Sequence, residues 1–192
     1  MPEGSRHTFL FTDLVGFTAL TEANGDDRAA ELAVDFYGRV RPLLPEHGAE
    51  EVKTIGDAIM LRCDDAGLAI LLGLRIVDQL EAVPGFPPVR VGMATGPAVS
   101  RDGDWYGATV NVAARLCSAA GGSQVLVSET TRTAAGKLRK VELDDVELHW
   151  LKNVTEPVPA RLVTLHDCRL PGPGSLRSLK LLRGGRMVEA TR

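Results

Sequence analysis

Two short β-rich runs, Glu51 to Ile55 and Ala58 to Arg62, are separated only by Gly56 and Asp57. A two-residue Gly-Asp connection between such runs is a hairpin signal, because Gly accepts the positive φ that the tight turn requires. The hairpin fixes the character of everything around it. Upstream, Thr8 to Thr12 is a β-rich run ending at Asp13, and Asp26 to Leu44 carries Ala30, Leu32, Ala33, Phe36, Tyr37 and Val40 at helical spacing. Asp26 or Asp27 is placed to cap that helix, and Pro42 and Pro45 mark its end. Downstream, Asp64 to Val83 reads as a second helix and Val89 to Ala94 as a strand. Gly103 to Gly107 reads as a loop, and Val110 to Ala119 as a third helix. A short strand at Val125 to Val127, a brief helix capped by Ser128, and strands around Val141, Leu148 to Leu151 and Ala160 to Leu165 complete the order. The expected fold is an α+β domain, a sheet with helices packed on one face.

A chain of 192 residues is long enough for one domain with a sizeable core and too short for two full ones. Its net charge of -3 argues against nucleic acid as a partner, which calls for a basic surface. Three widely spaced cysteines, Cys63, Cys117 and Cys168, form neither a disulfide framework nor a thiolate metal site. The N-terminus has no basic-then-apolar leader pattern, and the longest apolar stretch, Ala69 to Val77, is interrupted by Arg75 and far too short to span a membrane. The expected compartment is the reducing cytoplasm. Composition changes at His166, so residues 1–165 are read as the domain and 166–192 as a basic tail of net charge +4 containing Pro171-Gly172-Pro173-Gly174-Ser175. The tail is expected to be a poorly ordered terminus, with Leu176, Leu179 and Leu182 offering a weak signal for membrane or partner contact.

Chemistry begins with two carboxylates. Asp13 ends an apolar strand and Asp57 sits in the hairpin turn. Either alone is an ordinary turn former. Together, on adjacent strands, they could meet at one sheet end as hard oxygen ligands suited to Mg²⁺ or Mn²⁺. Gly16 lets the following backbone approach a ligand closely, and N–H groups at the start of a helix can cradle phosphate. Farther on, Asn111 and Arg115 are four residues apart and share one helix face, with Ser118 close by.

Three segments now resemble a known family. Phe11 to Thr18 (FTDLVGFT), Lys53 to Ala58 (KTIGDA) and Asp104 to Arg115 (DWYGATVNVAAR) are similar in order and separation to the signature segments of the class III nucleotide cyclases. The similarity runs from about Thr8 to Leu165 and points to a bacterial single-domain adenylate cyclase. It implies a ferredoxin-like βαββαβ core, a head-to-tail homodimer and two composite active sites at the interface. It also implies two Mg²⁺ or Mn²⁺ ions per site, with Asp13, Asp57 and the Leu14 carbonyl as ligands. By the same resemblance Gly16, Phe17 and Thr18 bind substrate, and Lys53 and Asp104 select the base. Asn111 orients the ribose, Arg115 stabilises the transition state, and Lys152 reaches the terminal phosphates. At Asn153 the chain departs from the family, which more often shows Gly after this lysine.

The polarity of the base-selecting pair can be argued from chemistry. Adenine presents an acceptor at N1 and a donor at its exocyclic N6, while Lys53 supplies only donors and ionised Asp104 only acceptors. Guanine reverses that polarity. A site whose buried groups are left unpaired rejects the wrong ligand, so the pair favours ATP over GTP. The expected reaction is conversion of ATP to 3′,5′-cyclic AMP and pyrophosphate by attack of the ribose 3′-hydroxyl on the α-phosphate. Dinucleotide-forming cyclases of related fold carry a GG[DE]EF-type loop, and this hairpin has only Thr54-Ile55-Gly56-Asp57.

Overall fold

A computed structural model describes residues 6–139 and 141–165 of the chain. The expectations for the basic tail, 166–192, lie outside the described residues. Ten strands and five α-helices follow one another along the described chain. Strand β1 (Arg6–Leu14) leads through α1 (Phe17–Asn24) and α2 (Asp26–Val40) to the hairpin β2 (Ala49–Ile55) and β3 (Ala58–Cys63). Helix α3 (Ala66–Glu81) then returns the chain to β4 (Val89–Pro97). In space these strands lie in the order β2-β3-β1-β4, antiparallel throughout. This is the expected βαββαβ core. The sheet continues through β7 (Val125–Ser128), parallel to β4, and then β10 (Val158–Leu165), with β8 (Val141–Leu143) and β9 (Glu147–His149) both paired to β10.

Local chemistry explains most of the element boundaries. The Asp65 side chain accepts from the N–H groups of Gly67 and Leu68 and caps α3. Ser128 accepts from the Thr131 N–H and caps α5 (Glu129–Ala135). Gly56 turns the β2–β3 hairpin with φ +61°. At α2 the expectation is corrected: Gly25, not Asp26 or Asp27, is the capping residue, and the two aspartates fill the first turn, where they complement the helix dipole. The helix also stops at Val40. Pro42 and Pro45 lack the N–H that a continuing helix needs, and two short 3₁₀ turns follow, Arg41–Leu43 and Pro45–His47. Gly103 to Gly107 is not a plain loop. Residues 99–106 form a separate hairpin, β5 (Val99–Arg101) with β6 (Asp104–Tyr106), turned by Asp102 and Gly103 at positive φ.

A larger correction concerns the faces of the sheet. On β1, Leu10 and Leu14 pack against Phe36 and Val40 of α2 and Ile76 of α3. Their neighbours Phe9 and Phe11 point the other way, onto Val110, Ala113 and Cys117 of α4 (Ala108–Ala119). Helices therefore cover both faces, not one. A strand buried on both sides reads as a continuous apolar run, which is what β1 shows between His7 and Asp13 apart from Thr8 and Thr12. Each fully buried side chain of this size contributes roughly 1.5–3 kcal/mol. Among the described residues no helix is long and apolar enough to cross a membrane.

Candidate active site

Asp13 is the penultimate residue of β1, paired in register with Ala58 of β3 and Arg90 of β4. That register brings the β2–β3 turn, and with it Asp57, to the same sheet end. The turn is pinned from the helical side, where the Tyr37 hydroxyl of α2 donates to the Gly56 carbonyl. Asp57 lies against Asp13. Burial, followed by hydrogen bonding and repulsion from Asp13, pushes its carboxyl up to about 6, while N–H groups of Asp57 itself and Leu14 pull the other way. Two carboxylates crowded at one sheet end, with the Leu14 backbone beside them, are a donor set that fits Mg²⁺ or Mn²⁺. Among the described residues no group of three or more His, Cys, Asp or Glu could hold a metal, so protein side chains supply only part of such a coordination shell.

The segment after β1 continues this end of the molecule. Gly16 adopts φ +78° and begins α1, whose first intrahelical bond runs from the Leu20 N–H to the Gly16 carbonyl. The N–H groups of Phe17 and Thr18 are thus at the open end of a helix. Sequence patterning did not show α1, because none of its residues is buried and no apolar stripe forms.

Arg90, which patterning also passed over, completes the cluster. Its Nε and Nη2 donate to Asp13 Oδ2 at 2.9 and 2.5 Å, and its Nη1 donates to the Ser118 carbonyl of α4 at 3.1 Å. The signal was present. Arg90 is the one charged residue in β4, a strand otherwise largely buried, and a charge in such a strand needs a partner.

Lys53 and Asp104 are paired. Lys53 Nζ on β2 donates to Asp104 Oδ2 on β6 at 2.5 Å, and the Trp105 N–H donates to Asp104 Oδ1 at 2.8 Å. These bonds, the lysine first, hold the Asp104 carboxyl below the usual carboxylate range. Lys53 lies on β2, two residues before its end at Ile55, and Asp57 follows in the β2–β3 turn. Asn111 and Arg115 share the side of α4 away from Val110, Ala113 and Cys117, with Asn111 exposed and Arg115 half-buried. Among the described residues no hydrogen bond or ion pair joins either of them to the Asp13–Asp57 or Lys53–Asp104 pair. Lys152 is exposed in a turn closed by the Val154 N–H on the Leu151 carbonyl. Asn153 beside it has φ +59°, the left-handed conformation that Gly adopts freely and Asn tolerates. The departure from the family at Asn153 is thereby accounted for.

The profile of the adenylate and guanylate cyclase catalytic domain matches residues 2–156. The chain belongs to that family. This cyclase domain is 40% identical over 136 residues to a pH-sensitive adenylate cyclase of Mycobacterium tuberculosis, an alignment covering 71% of the chain and 34% of the relative. It therefore spans about a third of the length of that curated relative. Its fold is also that of the catalytic core of a rhodopsin-guanylyl cyclase with converted specificity, solved with ATPαS (TM-score 0.75, 22% identity, covering 85% of this chain and 97% of that one). The adenylate/guanylate cyclase/hydrolase of Silicibacter pomeroyi is similar at TM-score 0.71 and 27% identity, covering 83% of this chain and 96% of that one.

Proposed function

We propose that this cyclase domain converts ATP to 3′,5′-cyclic AMP and pyrophosphate, at composite sites between two copies of the chain arranged head to tail. The observation that carries the adenine reading is the Lys53–Asp104 pair, already held at 2.5 Å, with donors on one side and acceptors on the other. Relatives named adenylate cyclases support the same reading.

Asp13, Asp57 and the Leu14 carbonyl would hold the divalent ions, two Mg²⁺ or Mn²⁺ per site. Bound there, such ions supply Lewis-acid activation of the ribose hydroxyl and neutralise charge on departing pyrophosphate. The chain's own residues do the rest. Gly16, Phe17 and Thr18 present backbone N–H groups to phosphate at the start of α1. Asn111 orients the ribose so that its 3′-hydroxyl faces the α-phosphorus, a proximity effect. Arg115 stabilises charge growing on the α-phosphate oxygens, and Lys152 contacts the terminal phosphates. The 3′-hydroxyl gives up its proton to solvent as its oxygen bonds to the α-phosphorus, the bond to the bridging oxygen breaks, and pyrophosphate leaves.

The composite arrangement is supported by the resemblance to the family and by the absence, among the described residues, of any hydrogen bond or ion pair joining Asn111 or Arg115 to the carboxylate pair of its own chain. In this reading the groups that hold base and ribose serve the metal aspartates of the other copy. Purified chain incubated with Mn²⁺ and either ATP or GTP should yield cyclic AMP and little cyclic GMP; absence of cyclic AMP from folded dimer refutes the activity. Mixing inactive Asp57→Ala and Asn111→Ala chains should restore activity in the exchanged heterodimer. No recovery on mixing refutes the shared site.

A further inference from the structure

Asp104 belongs to a hairpin that cannot stand by itself. Strands β5 and β6 have three residues each and form a sheet separate from the main one. An isolated two-stranded hairpin is marginal at best in water. Of its six strand residues, Val99, Ser100, Arg101 and Tyr106 are exposed, and only Asp104 and Trp105 are half-buried. Asp104 is the group that must be aimed, so Trp105 supplies the hairpin's one apolar anchor to the body of the domain.

The receiving surface is built from three strands. The Trp105 ring meets His7 edge-on with centroids 4.7 Å apart and lies 5.6 Å from Phe9, both on β1. From β3, the Arg62 guanidinium sits over the same ring, 5.4 Å from its centroid. Arg62 is itself clamped, donating to Glu50 of β2 at 2.9 Å and to Asp64 at 2.5 Å, and Asp64 also bonds the His7 ring at 2.6 Å. A charge network locks the orientation of the cation that covers the indole. Trp105 is thus fixed by its side chain to β1 and β3 and by its N–H to Asp104 Oδ1.

We infer that Trp105, seated on His7, Phe9 and Arg62, is the positioning residue that holds Asp104 opposite Lys53 and so sets the preference for adenine. This inference rests on the proposed role of the Lys53–Asp104 pair in base selection. It assigns Trp105 no contact with phosphate or metal. His7 and Asp13 are six residues apart on β1, roughly 20 Å, so the anchor and the carboxylate pair are separable by mutation.

Replacing Trp105 with Ala removes the anchor, and Phe retains an aromatic plug of smaller size. Equilibrium binding of 3′-deoxy-ATP and 3′-deoxy-GTP, which lack the attacking hydroxyl, reads base preference without turnover. In Trp105→Ala the ATP-to-GTP affinity ratio should fall about tenfold or more, as expected when a paired polar contact is lost. Trp105→Phe should recover most of that ratio, and Arg62→Met should lose part of it. Hydrogen exchange of residues 99–106 should rise in Trp105→Ala while the amides of β1 and β4 keep their protection. If Trp105→Ala folds and keeps the wild-type ratio, the inference is overturned. A uniform loss of affinity for both nucleotides also overturns it, because that is what a general structural defect would give. Wild-type chain that prefers the adenine analogue but makes no cyclic AMP sinks the cyclase activity alone and leaves Trp105 in its role. Wild-type chain with no base preference overturns the base-selecting role of the Lys53–Asp104 pair and, with it, this inference.

Discussion

Substituting Gly92 by Ala tests how closely function depends on the seating of α4. A Cβ at Gly92 would fall 1.9 Å from the Cys117 nitrogen, 2.4 Å from its Cα and 2.5 Å from the Leu116 carbonyl carbon. All three are backbone atoms of α4, so no side chain can turn aside. To restore an ordinary carbon contact of about 3.5 Å, the helix must retreat by roughly 1.5 Å. That motion opens the packing of Val110, Ala113 and Cys117 on Phe9, Phe11 and Ala94. It also strains the bond from Arg90 to the Ser118 carbonyl. Overpacking of this kind costs about 3 kcal/mol. For a chain of this size that is a fall of roughly 6–12 °C in Tm. Asn111 and Arg115 ride on the same helix, and a displacement near 1 Å costs on the order of 10²-fold in kcat. Thermal unfolding and steady-state cyclase assays read the two effects. Gly38→Ala is the control: it lies within α2, no atom would meet its Cβ within 4 Å, and it should stabilise by about 0.5–1 kcal/mol. A Gly92→Ala protein whose Tm stays within about 2 °C of wild type would refute the close approach of α4 to β4.

Three further outcomes are expected. Lys53→Met leaves Asp104 without its cation, and kcat/KM for ATP should fall about 10²-fold while the value for GTP changes far less; equal losses for both would count against base selection. His47 is fully buried, its Nδ1–H donates to the Leu43 carbonyl and its Nε2 has no partner among the described residues. Burial, the leading cause, lowers its pKa from the ordinary 6.5, so the unfolded chain takes up the proton first. Stability is then full above about pH 6.5 and declines as pH falls below it, and denaturant titrations across that range should show a shallower decline in His47→Leu. The Thr12 hydroxyl is buried without a partner among the described residues, so Thr12→Val should be neutral or stabilising by about 1 kcal/mol. A clear loss of stability there would mean that the hydroxyl is satisfied in solution.

Parts of the site were legible because their signals are local. Gly56-Asp57 marks its hairpin through turn chemistry, and the Asn111–Arg115 spacing places both on one helix face whatever surrounds them. The expectation of adenine followed from the donor and acceptor inventory of Lys53 and Asp104. The β5–β6 hairpin was not seen, since three-residue strands of exposed side chains carry no usable periodicity. Helix α1 escaped for the same reason. Arg90 and Trp105 matter through partners 77 residues away at Asp13 and far upstream at His7 and Phe9, and no window along the chain contains both members of such a contact.

The sequence by itself therefore determined the βαββαβ order of the core, the hairpin that carries Asp57, and the donor and acceptor polarity of Lys53 and Asp104. Each is a property of neighbouring residues or of functional-group chemistry. Only the tertiary structure decided that both faces of the sheet are covered, that Arg90 is bonded to Asp13, and that Trp105, next to Asp104, packs on β1 and β3. Those outcomes depend on strand register and on which face a side chain takes, and both are set by packing between segments distant in the chain.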